Sequence, residues 1–489
     1  MRIVNRIKQY PLLFTAFLLS VILNFFHINY QSAWLDELHS LNEANPIFSF
    51  SQVYHNVLTS EQMPPLYFYL LNGLFKIFGF SVIVGRVFSA ILSIVSIYAI
   101  YKLGKNLYSK QAGQITALVL SVNYFHVFFS QEMRPYAFLE LFTILSFYRL
   151  IIFLRKPKLL NAILYGVFSA LMIYGHFFGL FVIISQCSLL LLFLLLQEKG
   201  NKKDFFINAF ISGIIMLLLL IPAVEPFLKA MKIKEFWVPA PKPDILYLIF
   251  RDFFGRSLEL LIFVVIIAVV FFRKAYSAFK VSLSYKALLE NRLAFSFIIL
   301  SVWLGVTVVV PLIKSYLSAS VMLSRYFMVV VPALLLVFVI GLLQLDKKKR
   351  KYILIVFVCY SLLNNIVIKK YYTKKHKSQF REATAVIIQN NKDNTPVITS
   401  LKWHLAYFLE NDSVKYNVTN IELEKYVNEM INDTVKMKSF WYIDGHNRPY
   451  TVSPPVQQFL DKKFYVKESY NGHDAWVKHY IILENTVKK

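Results

Sequence analysis

The chain has 489 residues, of which 57% are hydrophobic and 17% aromatic, and its mean hydropathy is +0.52. These values exclude an ordinary soluble domain and predict an α-helical polytopic membrane protein. The formal charge of +25 does not indicate a nucleic-acid partner, because the basic residues lie between apolar runs and form no DNA- or RNA-binding motif. Cys187 and Cys359 both lie inside apolar runs, so no disulfide framework is predicted.

Apolar runs of membrane length predict about eleven transmembrane helices, since one span needs roughly 20 residues. The basic flank Arg2, Arg6 and Lys8 resembles the start of a signal peptide, but no small-residue cleavage site follows, so the first run is interpreted as a retained span. The run Leu66 to Phe80 follows two prolines and predicts an interfacial helix. The predicted spans are 11–28, 82–102, 112–130, 136–154, 161–177, 179–197, 205–223, 257–272, 293–313, 326–345 and 352–368.

The charges of the short loops predict the orientation of these spans. Loops rich in Lys and Arg, such as 155–158 and 347–351, are assigned to the cytoplasm, and the alternate loops hold most of the acids. An odd number of spans with a cytoplasmic N-terminus then predicts that the C-terminal part is extracytoplasmic. The predicted location is the cell membrane, which is the inner membrane where a cell has two. The basic cluster 369–377 favours a cytoplasmic position for this part, but the charges of the other loops together favour the exterior.

The sequence pattern changes near residue 370, which predicts a membrane domain over 1–370 and a small extracytoplasmic α/β domain over 371–489. Polar residues here alternate with apolar ones, as in a soluble domain. The predicted elements are helices at 380–389 and 456–462, strands at 396–400 and 439–443, and two strands within 465–480 that meet at Asn471-Gly472.

Two adjacent carboxylates, Asp36 and Glu37, directly follow the first span. Burying an acid at the edge of hydrocarbon is expensive, so such a pair is a functional candidate. Neighbouring side chains point in different directions, which disfavours a hydrolase with two facing acids but allows a single general base. In the alternative reading, Asp36 caps a helix over 38–44 and Glu37 lies in its first turn. The residues alone leave both readings open.

Four further loop segments carry polar groups on the predicted exterior side. Taken singly, each has a simpler explanation: an aromatic belt, a snorkelling arginine or a hydrogen-bonded interfacial histidine. An arginine at such a site can also hold a phosphate through its planar fork of donors. Together the four predict one outward-facing cavity, and their residues are Tyr67; Glu132, Arg134 and Tyr136; His176; and Arg325 and Tyr326.

In this order along the chain, the motifs resemble the GT-C superfamily of integral-membrane glycosyltransferases. The nearest branch contains the protein O-mannosyltransferases and the lipid A aminoarabinose transferase, and is like glycosyltransferase family 39. The motifs that carry the resemblance are the Asp36-Glu37 pair, Pro64-Pro65-Leu66-Tyr67, Gly85-Arg86-Val87-Phe88-Ser89, Gln131-Glu132-Met133-Arg134-Pro135-Tyr136, Tyr174-Gly175-His176 and Ser324-Arg325-Tyr326.

The resemblance implies transfer of a sugar, with inversion, from a polyprenyl-phosphate donor to a lipid, glycan or protein acceptor at the exterior membrane face. It assigns the catalytic acid to Asp36, with Glu37 as its partner. It assigns donor or phosphate contacts to Arg134 and Arg325. From their place in the same exterior loops, Tyr136 and Tyr326 are further candidates for these contacts, and Glu132, Tyr67 and His176 are candidates for the substrate pocket. Many relatives have His where this chain has Met63, so a role for that imidazole does not transfer.

The chemistry also follows from the residues themselves. A sugar phosphate has a good leaving group, so an enzyme must stabilise the departing phosphate and deprotonate the acceptor; arginines can do the first and Asp36 the second. This requires Asp36, Arg134 and Arg325 to meet in one cavity. No cofactor or obligatory metal is predicted, because His39, His55 and His176 show no zinc-site spacing. The alternatives are a lipid-linked sugar flippase or transporter, and an oligosaccharide ligase with a diphosphate-linked donor.

Overall fold

The computed structural model of the chain describes residues 9–233, 237–409, 415–446 and 451–483, so the basic flank at Arg2, Arg6 and Lys8 lies outside the described residues. The contacts within the chain divide it into two compact units. The first unit comprises 1–28 with 43–370, and the second comprises 29–42 with 371–489. Asp36 and Glu37, which the sequence placed with the membrane domain, therefore group with the second unit.

Helices form the first unit, because an apolar chain in lipid must satisfy its backbone hydrogen bonds internally. Several begin at a capping side chain; Ser81, Ser109 and Ser257 each accept a hydrogen bond from a backbone N–H of the first turn. The helices up to residue 363 are α1 Pro11–Phe25, α2 Leu35–Glu43, α3 Phe50–Ser60, α4 Leu66–Phe78, α5 Val82–Leu107, α6 Lys110–Ser121, α7 Tyr124–Ser130, α8 Tyr136–Arg155, α9 Leu159–Gly175, α10 Gly179–Leu196, α11 Lys202–Leu219, α12 Val224–Met231, α13 Ile245–Asp252, α14 Leu258–Lys280, α15 Tyr285–Glu290, α16 Arg292–Leu317, α17 Val331–Leu343 and α18 Lys347–Leu363. Short 3₁₀ segments at Lys199–Asn201, Ile221–Ala223 and Ser324–Val330, and a π-helical turn at Asn364–Ile368, extend this set.

Six helical segments in the described part of the chain are long and apolar enough to cross a membrane, or up to eight if two bent pairs each count as one span. The predicted spans at 11–28 and 161–177 correspond to the shorter apolar helices α1 and α9, and the one at 257–272 lies in α14. The number eleven therefore stays a prediction. The six segments are Val82–Leu107, Tyr136–Arg155, Gly179–Leu196, Arg292–Leu317, Ser324–Leu343 and Lys347–Ile368.

Two segments predicted as continuous spans are broken. The span predicted at 112–130 bends by 62° between α6 and α7, and the one predicted at 205–223 bends by 55° between Lys199–Leu219 and Ile221–Met231. The first break is stabilised by Asn123, whose Oδ1 caps α7 at the backbone N–H of His126 and whose Nδ2 donates to the carbonyl of Phe253. The second contains Pro222, which lacks an N–H for the helical ladder.

Glycine allows the backbones of α5 and α6 to pack closely. A Cβ on Gly113 of α6 would lie 2.3 Å from the carbonyl oxygen of Tyr101 on α5, and one on Gly104 would lie 2.9 Å from the Cα of Gly113. Backbones packed this closely are typical of membrane helices, where small residues replace the hydrophobic effect as the source of association.

We predict that Gly113→Ala lowers the thermal stability of the detergent-solubilised protein, since two backbones must separate, at a cost of about 1–3 kcal/mol. The matched control is Gly213→Ala on α11, where an added Cβ meets nothing within 4 Å. That variant should unfold at or slightly above the wild-type temperature, because Ala favours helix over Gly by about 1 kcal/mol. Equal unfolding temperatures for the two variants would contradict the packing account.

The second unit contains a five-stranded mixed sheet in the order β2-β1-β3-β5-β4. β1 is parallel to β2 and β3, whereas β5 is antiparallel to β3 and β4. Its core includes Phe440 and Tyr442 of β3, packed against Tyr426 and Val427. The elements are α19 Phe380–Asn390, β1 Val397–Thr399, α20 Lys402–Leu409, β2 Val418–Asn420, α21 Leu423–Ile431, β3 Phe440–Gly445, α22 Pro454–Lys463, β4 Phe464–Gly472 and β5 Ala475–Ile482.

The turn of the last hairpin differs from the prediction. β4 continues through Asn471 and Gly472, and the chain reverses at His473 and Asp474, where Asp474 adopts a left-handed φ of 53°. The start of α19 selects this position, because Ser378 donates a 2.6 Å hydrogen bond to the Asp474 carboxylate and the Gln379 N–H donates to the His473 carbonyl. A partner distant in sequence thus outweighs the local Asn-Gly signal.

Candidate functional site

The guanidinium of Arg134 lies at one end of the first unit and is only 4% exposed. It forms a bidentate ion pair with Glu61, with Nη1 to Oε1 at 2.9 Å and Nη2 to Oε2 at 2.8 Å. Its Nη2 also lies 3.9 Å from the sulfur of Met63. The carboxylate uses two of the five N–H donors of the guanidinium and holds its plane in one orientation.

The turn 131–135, which carries Arg134, is held from both sides. The Nε2 of Gln131 donates to the carbonyls of Leu23, Asn24 and Phe26 at the end of α1. Met133 is fully buried and packs so closely on α5 that a Cβ on Gly85 would lie 2.2 Å from its sulfur. The glycine of the Gly85-Arg86 motif is therefore needed for this turn to approach α5.

Arg325 lies in the 3₁₀ segment before α17 and is surrounded by aromatic rings. Its guanidinium carbon is 5.4 Å from the ring centre of Trp237 and 6.0 Å from those of Tyr136 and Tyr326. These are cation–π distances. The preceding residue, Ser324, donates a 2.6 Å hydrogen bond to Asp252 at the end of α13, which anchors the segment.

His176 occupies the turn between α9 and α10, and it lies within the electrostatic reach of both arginines. Its ring centre is 4.4 Å from that of Tyr326. The turn approaches α8 because Gly175 has no side chain; a Cβ there would lie 2.8 Å from the Cα of Leu139. Nδ1 of His176 accepts a 3.0 Å hydrogen bond from the Phe178 N–H, so the neutral ring carries its proton on Nε2.

Burial, and then the positive charges of Arg134 and Arg325, lower the pKa of His176 from 6.5 to about 3. The imidazole is therefore neutral near pH 7 and can donate from Nε2. Two guanidiniums and a neutral imidazole that can donate are groups suited to an anion, and phosphate is the anion that arginine forks suit best.

The structure thus brings five of the predicted site residues together in the first unit: Arg134, Tyr136, His176, Arg325 and Tyr326. Glu132 precedes Arg134 by two residues and is almost completely buried. Tyr67 is fully buried on α4, where its ring lies against Phe68 and Phe88.

Asp36 and Glu37 are both in the second unit, so their meeting with the arginines stays a prediction. Helix α2 begins at Leu35, and both acids lie in its first turn. The alternative reading, in which Asp36 caps a helix that starts at Leu38, is therefore wrong about where the helix begins. Glu37 is fully buried and forms a 3.2 Å ion pair with the buried Lys377, whereas Asp36 is partly exposed.

The segment that precedes α2 is held tightly within the second unit. Nε2 of Gln31 donates to the Lys374 carbonyl, and the guanidinium of Arg381 donates to the carbonyls of Asn29 and Tyr30. The basic cluster 369–377, whose charge favours a cytoplasmic position, thus contains lysines that form hydrogen bonds with the segment before α2. Burial opposes ionisation of Glu382, but Lys375 and Arg381 outweigh it and lower the pKa of Glu382.

Sequence reasoning missed Glu61, Trp237 and Asp252 as members of the site. Glu61 directly precedes the Gln62-Met63-Pro64-Pro65 segment. An acid next to this motif could have been recognised as a candidate partner for an arginine of the site. Trp237 and Asp252 carried no local signal for the site, because the residues that they contact in it, Arg325 and Ser324, lie more than 70 residues away.

We predict that His176→Asn reduces the acid sensitivity of the fold. The folded-state pKa is depressed, so the unfolded chain takes up a proton as the pH falls below 6.5 and the folded chain does not; stability is then lost from pH 6.5 down to about 3. Wild type should lose about 1–2 kcal/mol more than the variant between pH 7 and 5 in thermal unfolding. His27→Asn, at an exposed histidine, is the control and should follow wild type. A variant as acid-sensitive as wild type would contradict a buried neutral imidazole.

The segment 62–224 matches the model of a family described as dolichyl-phosphate-mannose-protein mannosyltransferase. The structure of ArnT from Cupriavidus metallidurans in the apo state superposes with a TM-score of 0.59 at 10% identity and covers 98% of both chains. ArnT from the same organism bound to undecaprenyl phosphate has a TM-score of 0.54 at 11% identity, over 94% of this chain and 96% of that one.

A third similar structure is the Archaeoglobus fulgidus oligosaccharyltransferase tethered with an acceptor peptide that contains the NVT sequon. Its TM-score is 0.53 at 11% identity, over 89% of this chain and 69% of that one. No curated protein sequence matches the chain. At such low identities the likenesses show a shared fold.

Proposed function

Since the chain has the GT-C fold and resembles ArnT and the dolichyl-phosphate-mannose-protein mannosyltransferases, as its motifs predicted, we propose that it is an inverting glycosyltransferase. The donor is a sugar linked to polyprenyl phosphate, and the acceptor is a lipid, glycan or protein at the extracytoplasmic face of the cell membrane. The N-terminus is cytoplasmic and the second unit extracytoplasmic in this proposal.

The observation that carries the proposal is the cluster around Tyr326, whose ring centre lies 4.4 Å from that of His176 and 6.0 Å from the guanidinium carbon of Arg325. Tyr136, two residues after Arg134, lies 6.0 Å from the same guanidinium carbon. Two guanidiniums in one part of an apolar bundle favour an anionic ligand, because a low-dielectric environment strengthens their attraction to negative charge. A phosphate ester on a long apolar tail is an anion that suits two guanidiniums, and its tail gives a reason to place the site in a membrane. ArnT bound to undecaprenyl phosphate shows that this fold can hold such a lipid in that protein.

The proposed step is a single displacement. The acceptor hydroxyl oxygen attacks the anomeric carbon, the bond from that carbon to the phosphate oxygen breaks, and polyprenyl phosphate leaves with the electron pair. Arg325 and Arg134 stabilise the charge that develops on the phosphate, and the Nε2–H of His176 donates a further hydrogen bond. The hydroxyl proton passes to Asp36 as general base.

Asp36 is assigned as the base in preference to Glu37 because of their surroundings in the second unit. Glu37 is ion-paired with Lys377 and fully buried, so its carboxylate is held by a cation and is a poor proton acceptor. We assign Glu37 to positioning the first turn of α2. Asp36 is one residue earlier and partly exposed, as an acid that must reach substrate should be.

We predict that Asp36→Asn lowers kcat roughly 10²–10⁴-fold, the usual contribution of a general base, without loss of donor binding. Purified protein would be incubated with a panel of polyprenyl-phosphate sugars, and sugar transfer, product stereochemistry and donor affinity would be measured. Asp204→Asn, at an exposed acid in the first turn of α11, is the matched control and should keep wild-type activity. Full transfer by Asp36→Asn would remove Asp36 from the base role.

We also predict that Arg325→Gln weakens donor binding by roughly 10–100-fold, because a charge-assisted hydrogen bond to phosphate is worth about 1.5–3 kcal/mol. Arg273→Gln, at an exposed arginine near the end of α14, is the control and should bind donor like wild type. Wild-type affinity in Arg325→Gln would show that the phosphate lies elsewhere. Sugar translocation without transfer by the wild-type protein would favour the transporter alternative.

A further inference from the structure

A second buried polar pair lies in the first unit, and the mechanism above does not use it. Nδ1 of His126 on α7 is 2.7 Å from Oε2 of Glu140 on α8, with side-chain exposures of 0% and 1%. Ionisable groups inside an apolar bundle are rare and expensive, so each needs a structural or functional explanation.

The pair joins the two helices that flank the turn 131–135. His126 lies four residues before the end of α7 at Ser130, and Glu140 lies four residues after the start of α8 at Tyr136. At 1.5 Å per residue, the bond is about 6 Å below the turn on both sides. Residues four apart share a helix face, so Glu140 lies on the same face as Tyr136, whose ring contacts Arg325.

Helix α7 needs such a bond, because seven residues are too few for an independently stable helix. It is also bent by 62° from α6, so it is not stabilised as the continuation of a longer helix. Its start is fixed by the Asn123 cap, and Phe129 near its end packs on Tyr136 with ring centres 4.9 Å apart. The His126–Glu140 bond is the polar link between these two points.

We propose that His126 and Glu140 are positioning residues that set the register of α7 against α8 and thereby hold Arg134 and Tyr136 in the phosphate site. The inference rests on the proposed function, since it names the pair that keeps that site in shape. One proton between Nδ1 and Oε2 satisfies the bond, so geometry, and not net charge, is what the pair supplies.

The experiment measures the affinity of purified full-length protein for undecaprenyl phosphate, together with its unfolding temperature. Glu140→Leu removes the acceptor and should weaken binding about tenfold or more, since a displacement of about 1 Å is enough for such losses. Glu140→Gln keeps an acceptor oxygen of the same reach and should rescue binding to within about twofold of wild type. His126→Phe removes the donor with a ring of similar size and should behave like Glu140→Leu.

The matched control is Ser146→Ala on the same helix. Ser146 belongs to a buried network with Ser169 and Gln186 that links α8 to α9 and α10, three or more turns from the turn 131–135. It should lower the unfolding temperature and leave the affinity unchanged. This separates positioning from a general loss of stability.

The outcomes separate the inference from the function on which it rests. Weak binding by Glu140→Leu or His126→Phe, with rescue by Glu140→Gln and normal affinity in Ser146→Ala, supports the inference. Equal affinity in wild type, Glu140→Leu and His126→Phe overturns it and leaves the proposed function standing, as does an equal loss of affinity in Ser146→Ala. Wild-type protein that does not bind undecaprenyl phosphate overturns the proposed function and the inference together.

Discussion

The desolvation of two guanidinium groups, Arg134 fully buried and Arg325 half-buried, is the constraint on which the first unit depends. A buried cation is tolerated only when anions, aromatic faces or hydrogen bonds replace the water it has lost. Arg134 meets this requirement with the carboxylate of Glu61, and Arg325 meets it with the rings of Trp237, Tyr136 and Tyr326. Burial, and then the positive charges of these two arginines, lower the pKa of His176 and keep its imidazole neutral.

The helices of the first unit are shaped so that these groups can meet. The break at Asn123 ends one apolar run early and redirects the chain into the turn 131–135. Gly175 lets the turn at His176 approach α8, and Asp252 holds Ser324 beside Arg325. These three local features each lie beside a residue of the candidate site, and functional sites are where local sequence rules are expected to fail. The second break, at Pro222, lies beside none of the named site residues.

Much of the fold class could be predicted from hydropathy alone, because the length and composition of apolar runs determine helices in lipid. The breaks in 112–130 and 205–223 could not, since one capping Asn or one Pro inside a long apolar run changes the mean hydropathy too little to end the predicted span. The grouping of 29–42 with the second unit could not be predicted either, because it depends on hydrogen bonds of Gln31 and Asn29 with residues more than 340 positions away.

Some residues of the candidate site could likewise be predicted from the sequence, and others could not. Arg134, His176 and Arg325 were recognisable because each is a polar group at the end of an apolar run on the same predicted side. Glu61 and the pair His126–Glu140 were not, because their importance lies in a partner and not in a local pattern. The resemblance to known glycosyltransferases supplied the reaction, and the environment of Glu37 beside Lys377 then favoured Asp36 as its base.

The central claim is that Arg134 and Arg325 hold the phosphate of a lipid carrier. It is tested most directly by an experimental structure of the protein with bound undecaprenyl phosphate. The account predicts phosphate oxygens within hydrogen-bond distance, about 3 Å, of both guanidiniums. A phosphate bound away from both arginines, with the lipid otherwise well ordered, would contradict it.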